Sequence, residues 1–282
     1  MMLTNIFLPF FLTVNVNLSK PLNCNMIYSY HVSKVTIIYK EPFEHTQLTS
    51  TIACRPILLS GLCCFMHDIT SETTVKYSSW GIGKVKTDIL KVEKWFQMWF
   101  NNRGLLRTVI PPVNSEIKNF IKHISQQFSL GINIADYRDK IQIDVPMKFI
   151  TDEKTPMGNC KTDYDIDITY IKNANKETNS IFEIRPLILT HYVKQENLIR
   201  TYIMKYRTKC DYSTISDNAT LNETTVANYG HGMKAEGDKF QIITTMDVYL
   251  SKPISTPWVP TFSETTEINL INISIRSLCD DL

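Results

Sequence analysis

Glycine is scarce, at 9 of 282 residues, and that shortage removes several protein classes at once. Phosphate-cradling loops and stacked repeats need glycine wherever backbone must approach a ligand or a neighbour closely. No P-loop, dinucleotide fingerprint or nucleophile elbow occurs, and no internal repeat or low-complexity segment is found. Charge of one sign is lacking too. Thirty basic and 28 acidic residues leave a net charge of +2, too little to select nucleic acid or an acidic partner. Long hydrophobic runs are missing: the apolar stretch Ile6 to Val14 is too short to span a bilayer as a helix.

Catalytic and metal constellations are thin. The six histidines, at 31, 45, 67, 123, 191 and 231, are scattered. Cys63-Cys64 with His67 lacks the further ligands that a closed zinc site needs, so packing or a disulfide explains it better. Asp163, Asp165 and Asp167 line one face of a strand and could bind calcium, but such a row is more often a solvated sheet face. His123 flanks the apolar stripe of a helix and reads as a flank residue rather than a ligand, and Gly230-His231-Gly232 reads as a flexible loop. No cofactor is expected.

What is present favours strands. Hydrophobic residues make up 43%, enough for one large core or two small ones, and aromatic and β-branched residues recur throughout. Residues 1–16 resemble the apolar core of a secretory signal, although no Lys or Arg precedes it; the alternative is a buried strand. Sequons at Asn17, Asn218, Asn222 and Asn272 agree with secretion. Seven cysteines is an odd number, so in an oxidising compartment at least one is free or pairs between chains.

Residues 17–80 show no sustained period. From there the pattern sharpens. Phe96, Met98 and Phe100 alternate with Gln97 and Trp99 as a strand, and Asn101–Gly104 is a turn signal. Leu105 to Ile110 follows as a second strand and Pro111-Pro112 stops it, completing a hairpin. Asn114 or Ser115 then caps a helix with Glu116 in its first turn. Ile117, Phe120, Ile121, Ile124 and Phe128 form its single apolar stripe, and Gly131 lies near its end.

Strand period returns at Ile141, Ile143 and Val145. It is clearest where Cys160, Thr162, Tyr164, Ile166, Ile168 and Tyr170 share one face. Further strands are expected over 181–192, 199–206, 240–249 and 267–275, with a polar loop over 211–225. The fold class is mainly β (α+β): an antiparallel β-barrel or strongly curled sheet with a central amphipathic helix.

Three segments, in order, resemble the N-terminal domain of the large lipid transfer proteins, the family of vitellogenin, apolipoprotein B and microsomal triglyceride transfer protein. The first is Lys94 to Gly104, KWFQMWFNNRG, similar to that family's strand and turn. The second is Ile110 to Phe128, IPPVNSEIKNFIKHISQQF, which resembles the helix running through its barrel. The third is Gly158 to Ile166, GNCKTDYDI, followed about fifty residues later by Tyr206 to Asp211, YRTKCD.

The resemblance covers residues 94–211; the chain then divides into a possible signal at 1–16, a divergent segment or the first barrel strands at 17–80, and a barrel domain resembling that family's at 81–282. The resemblance implies a disulfide between Cys160 and Cys210, which would close a loop of about fifty residues and be worth about 4 kcal/mol. The function implied is secreted, non-enzymatic lipid transport or yolk nutrient storage, truncated to the N-terminal barrel. Partners would be lipid or lipoprotein and a cell-surface receptor of the lipoprotein receptor type, with no nucleic acid and no transmembrane segment. Receptor docking would draw on exposed cations such as Lys194, Arg200, Lys205 and Arg207. Glycans are expected on Asn218, Asn222 and Asn272.

Two other classes compete. A secreted β-sandwich adhesion or carbohydrate-binding module would leave residues 115–129 outside the β-core. A carboxylate hydrolase built on Asp163–Asp167 would need those side chains in a concave pocket.

Overall fold

The computed structural model describes residues 6–7, 12–16, 25–57, 61–77, 83–155, 158–171, 182–186, 198–210, 225–250 and 260–276. Its first strands are β1 (Ile6–Phe7), β2 (Leu12–Val16), β3 (Asn25–Ile38), β4 (Phe43–Ile57), β5 (Gly61–Met66) and β6 (Ile69–Lys76). Next come β7 (Lys84–Leu90), β8 (Lys94–Asn101) and β9 (Gly104–Val109), then α1 (Ser115–Gln127) and a 3₁₀ turn at Ile134–Tyr137. The remainder is β10 (Met147–Thr155), β11 (Gly158–Tyr170), β12 (Phe182–Pro186), β13 (Ile199–Cys210), β14 (Thr225–Glu236), β15 (Lys239–Leu250) and β16 (Pro260–Arg276).

One antiparallel sheet dominates, in the order β10-β11-β13-β14-β15-β16-β3-β4-β5-β8-β9, with β6 and β7 extending β4. The small sheet β1-β2-β12 is tied on where Ile184 N–H donates to Gly237 O at 2.7 Å. The large sheet is strongly curled but open, with β10 and β9 as its ends, so the barrel alternative is corrected. The chain just past α1 lies across the gap. Gly131 N–H donates to Arg103 O at the β8–β9 turn (2.9 Å), while Tyr164 Oη from β11 donates to Leu130 O (2.8 Å). The bridging segment is thus tied to both ends of the sheet, by a backbone bond at the β8–β9 turn and by a side-chain bond from β11.

The inner face carries the core. Tyr28, Tyr30 and Val32, then Ile52 and Cys54, then Phe96, Met98 and Phe100, alternate inward at period two. Ile117, Phe120, Ile121 and Ile124 of α1 and Phe128 at its C-cap are buried against them, and Phe128 meets Tyr30 edge-on at 5.5 Å. The N-cap is Asn114, whose Oδ1 accepts from Ile117 N–H at 2.8 Å.

Residues 25–77, where the sequence shows no clear period, supply β3, β4 and β5 inside this strand order and β6 beside β4. Residues 12–16 form β2, and Leu12 is buried in the core. Three local expectations are corrected. Ile141 to Val145 is a turn rather than a strand: Asp144 takes a positive φ of 63° and its N–H donates to Ile168 O. Gly230-His231-Gly232 is interior to β14, paired with β13 on one side and β15 on the other, and Thr245 Oγ1 and Met204 Sδ crowd the space where side chains at the two glycines would stand. β14 itself has no counterpart among the expected strands.

Candidate functional site

Strand β13 is where alternation and charge collide. Its inward positions run Ile199, Thr201, Ile203, then Lys205 and Arg207. Lys205 is 2% exposed and Glu153 of β10 is 5% exposed. Lys205 Nζ donates to Glu153 Oε1 (3.1 Å), Ser129 O (3.0 Å) and Leu130 O (3.1 Å). Arg207 grips the same carboxylate twice, Nε to Oε2 at 2.9 Å and Nη2 to Oε1 at 3.1 Å, with its guanidinium 3.8 Å from the Tyr229 ring centroid. Thr162 Oγ1 adds a third donor to Glu153.

Burial pushes the Glu153 carboxyl up, but Lys205 and Arg207 together hold it below the usual carboxylate range. Burial pushes Lys205 down to about 8 against the pull of Glu153. The trio thus carries one anion and two cations at neutral pH.

A bulge sets the sulfur bridge. The pairing of β11 with β13 slips between Lys161 and Thr162, leaving Thr208 as an extra residue on β13. That single residue turns Cys210 inward, directly opposite Cys160, with Cα atoms 4.0 Å apart. The two are disulfide-bonded. A second disulfide joins Cys54 to Cys64, and Cys63 is a free, buried thiol.

A chain of polar side chains runs from α1 into β14–β16. His231 Nδ1 donates to Thr244 Oγ1 at 2.8 Å, and Thr244 in turn donates to Gln127 Oε1. Gln127 Nε2 donates to His123 O at 3.1 Å, and His123 Nε2 lies 2.8 Å from Thr266 Oγ1 and 3.4 Å from Glu264 Oε1. Glu264 is itself paired with Lys34 at 2.7 Å. Burial lowers both imidazoles below their ordinary value; Lys205 and Arg207 push His231 further down, while at His123 Glu264 opposes and Lys34 assists the lowering. Both rings are neutral at physiological pH. Between the Glu153 trio and this chain opens a cleft of about 420 Å³, walled by Leu105, Leu106, Tyr229 and Met246.

The sequence-derived cations separate. Lys205 and Arg207 are not the exposed groups expected: both are largely buried and bonded to Glu153. Arg200 is 46% exposed and bonded bidentately to Glu236. Lys194 lies outside the described residues, as do Asn17, Asn218 and Asn222. Asn272 is exposed on β16. Asp163, Asp165 and Asp167 sit on the outer face, away from the cleft, and Asp165 pairs with Lys148 at 2.9 Å. Among the described residues no three potential ligands come together to hold a metal ion, and no helix is long and apolar enough to cross a membrane.

Sequence reasoning missed Glu153 and the Gln127–Thr244–His231 chain. The available signal was phase: a lysine and an arginine at the inward positions of an otherwise apolar strand require a buried partner.

No family model and no curated protein matches the sequence. The fold does have a counterpart. The chain is similar to a solved structure concerned with lipid–protein interactions in lipovitellin, with a TM-score of 0.53 and 12% identity. The match covers 93% of this chain and 26% of that one. The chain therefore has a lipovitellin-like fold, a curled antiparallel sheet around one helix.

Proposed function

We propose that this chain is a secreted, non-enzymatic lipid-transport or yolk nutrient-reservoir protein of the vitellogenin type, working through its surface on lipoprotein or on a receptor of the lipoprotein receptor class. One observation carries the reading: a lipovitellin-like arrangement of sheet and helix extends over 93% of the chain. Two disulfides support passage through an oxidising compartment. Burial of α1 inside the sheet speaks against an adhesion sandwich, which would leave residues 115–129 outside its core. The aspartate row lies on the outer face, away from the cleft beside Glu153, which speaks against carboxylate hydrolysis there. Of the described cations proposed for a receptor, Arg200 alone keeps an exposed head. The test is secretory expression followed by solvent extraction of the purified protein. Co-purifying lipid, together with a glycosidase-sensitive mass at Asn272, is the expected result. A lipid-free chain that also ignores lipoprotein particles would overturn the proposal.

A further inference from the structure

The outer face of β4, β5, β8 and β9 has a composition that core packing does not require. Because neighbouring strands are paired antiparallel, Arg55, Phe65, Trp95, Trp99 and Arg107 all stand on this one side. Trp95 is 52% exposed and lies 5.1 Å from the Phe65 ring. The Arg55 guanidinium sits 5.6 Å over Trp95, and that of Arg107 sits 5.3 Å over Trp99. Both arginines are exposed, and neither forms an ion pair with a carboxylate among the described residues. The outward positions of these four strands carry no carboxylate: Glu44, the one acidic residue within them, falls in the inward phase of β4 and accepts from Thr46 Oγ1, while Asp68 and Glu93 lie beyond the strand ends. Asp68 is already engaged, accepting from Val92 N–H.

We propose that this aromatic–arginine face is the surface by which the protein docks on an anionic phospholipid layer. Three features favour that occupant. Indole rings are amphipathic and settle at the boundary between headgroups and acyl chains. Arginine beside each ring supplies a planar, weakly hydrated cation for phosphate, so the face is complementary in charge to an anionic leaflet. A sugar platform would instead need free amides or carboxylates beside its rings. The outward amides are already engaged: Gln97 accepts from Trp99 Nε1 at 3.2 Å and so holds the indole in place, Asn101 accepts from the Arg103 and Gly104 N–H groups of the turn, and Gln47 donates to Ser33 Oγ. Four strands at about 4.8 Å spacing make the face about 15 Å across, room for several headgroups.

This inference rests on the lipid-handling reading and narrows it to a surface. The experiment is flotation of the full chain with phosphatidylcholine vesicles, with and without phosphatidylserine, comparing wild type with Arg55→Ala/Arg107→Ala and with Trp95→Ala. One cation near an anionic leaflet is worth about fivefold in partitioning, so the double arginine variant should bind phosphatidylserine vesicles roughly twenty-five-fold more weakly. Quenching of tryptophan emission by brominated acyl chains should fall in Trp95→Ala. These side chains are outward, so unchanged thermal unfolding of the variants shows that the fold is intact. Wild type floating with anionic vesicles while the variants float equally well would overturn the docking face and leave the lipid function standing. Wild type that ignores every vesicle but is retained on heparin would assign the face to a polyanionic glycan instead. Wild type that ignores vesicles and also carries no extractable lipid would remove both proposals.

Discussion

Glu153 shows how a single buried residue can be held by its neighbours. It receives two bonds from Arg207, one from Lys205 and one from Thr162, and its position also excludes any side chain at Gly131, which sits at φ +84° where an added Cβ would strike the carboxylate. Removing the anion strands two cations in a nearly dry site, whereas removing Lys205 leaves the Glu153–Arg207 pair intact. Glu153→Gln should therefore cost about 3–5 kcal/mol. Lys205→Met should cost only about 1–2 kcal/mol, chiefly for the Ser129 carbonyl it no longer serves. Urea unfolding of both variants checks the order, and equal losses would refute it. Lys205 and Arg207 are expected from the sequence to be exposed although the period of β13 puts them inward, and nothing local to them names Glu153, which lies 52 positions from Lys205 in the chain.

Among the elements, α1 was the most readable and β14 the least. The helix announced itself through Asn114, Glu116 and a stripe at 3.6-residue spacing, and those features are local. β14 contains Gly230 and Gly232, which lower strand propensity, and it is a strand because β13 and β15 pair with it on both sides. The two disulfides differ in what they clamp. Cys160–Cys210 closes a sequence separation of 50 and Cys54–Cys64 one of 10. Replacing the first pair by alanines should lower stability by about 4 kcal/mol and the second by about 3 kcal/mol, since the entropy of the unfolded loop grows with the logarithm of its length. Thermal unfolding of the two double variants measures the difference; a larger loss from the short loop would contradict this ordering.

For the molecule as a whole, the helix is anchored to the sheet by neutral histidines, and this makes stability depend on pH. His123 and His231 are both held below their ordinary value of 6.5 in the fold. As pH falls through 6.5 the unfolded chain takes up protons that the folded chain refuses, so their contribution is complete above 6.5 and is lost on acidification. Glu153, also depressed, acts in the same direction at lower pH: its stabilisation is present above the ordinary carboxylate value and disappears as pH drops through its folded pKa. The melting temperature should thus decline from about pH 7 to about pH 5, and His231→Gln should flatten that decline. An unchanged slope in this variant, measured by calorimetry, would show that His231 does not titrate in this way.

The sequence by itself determined the mainly β composition, the β8–β9 hairpin, the capped helix with its apolar stripe, and the inward phase of β11 with Cys160 at its start. Each follows from spacing within about a dozen neighbouring residues, where steric and capping preferences act directly. Only the tertiary structure decided that the sheet stays open, that residues 25–77 supply strands inside it, and that a bulge at Thr208 turns Cys210 toward Cys160. It alone brought Glu153 to Lys205 and Arg207, and gathered Trp95, Trp99, Arg55 and Arg107 on one outer face. Those outcomes depend on which strands become neighbours, and strand pairing is settled by contacts between residues far apart in the chain, which no local pattern encodes.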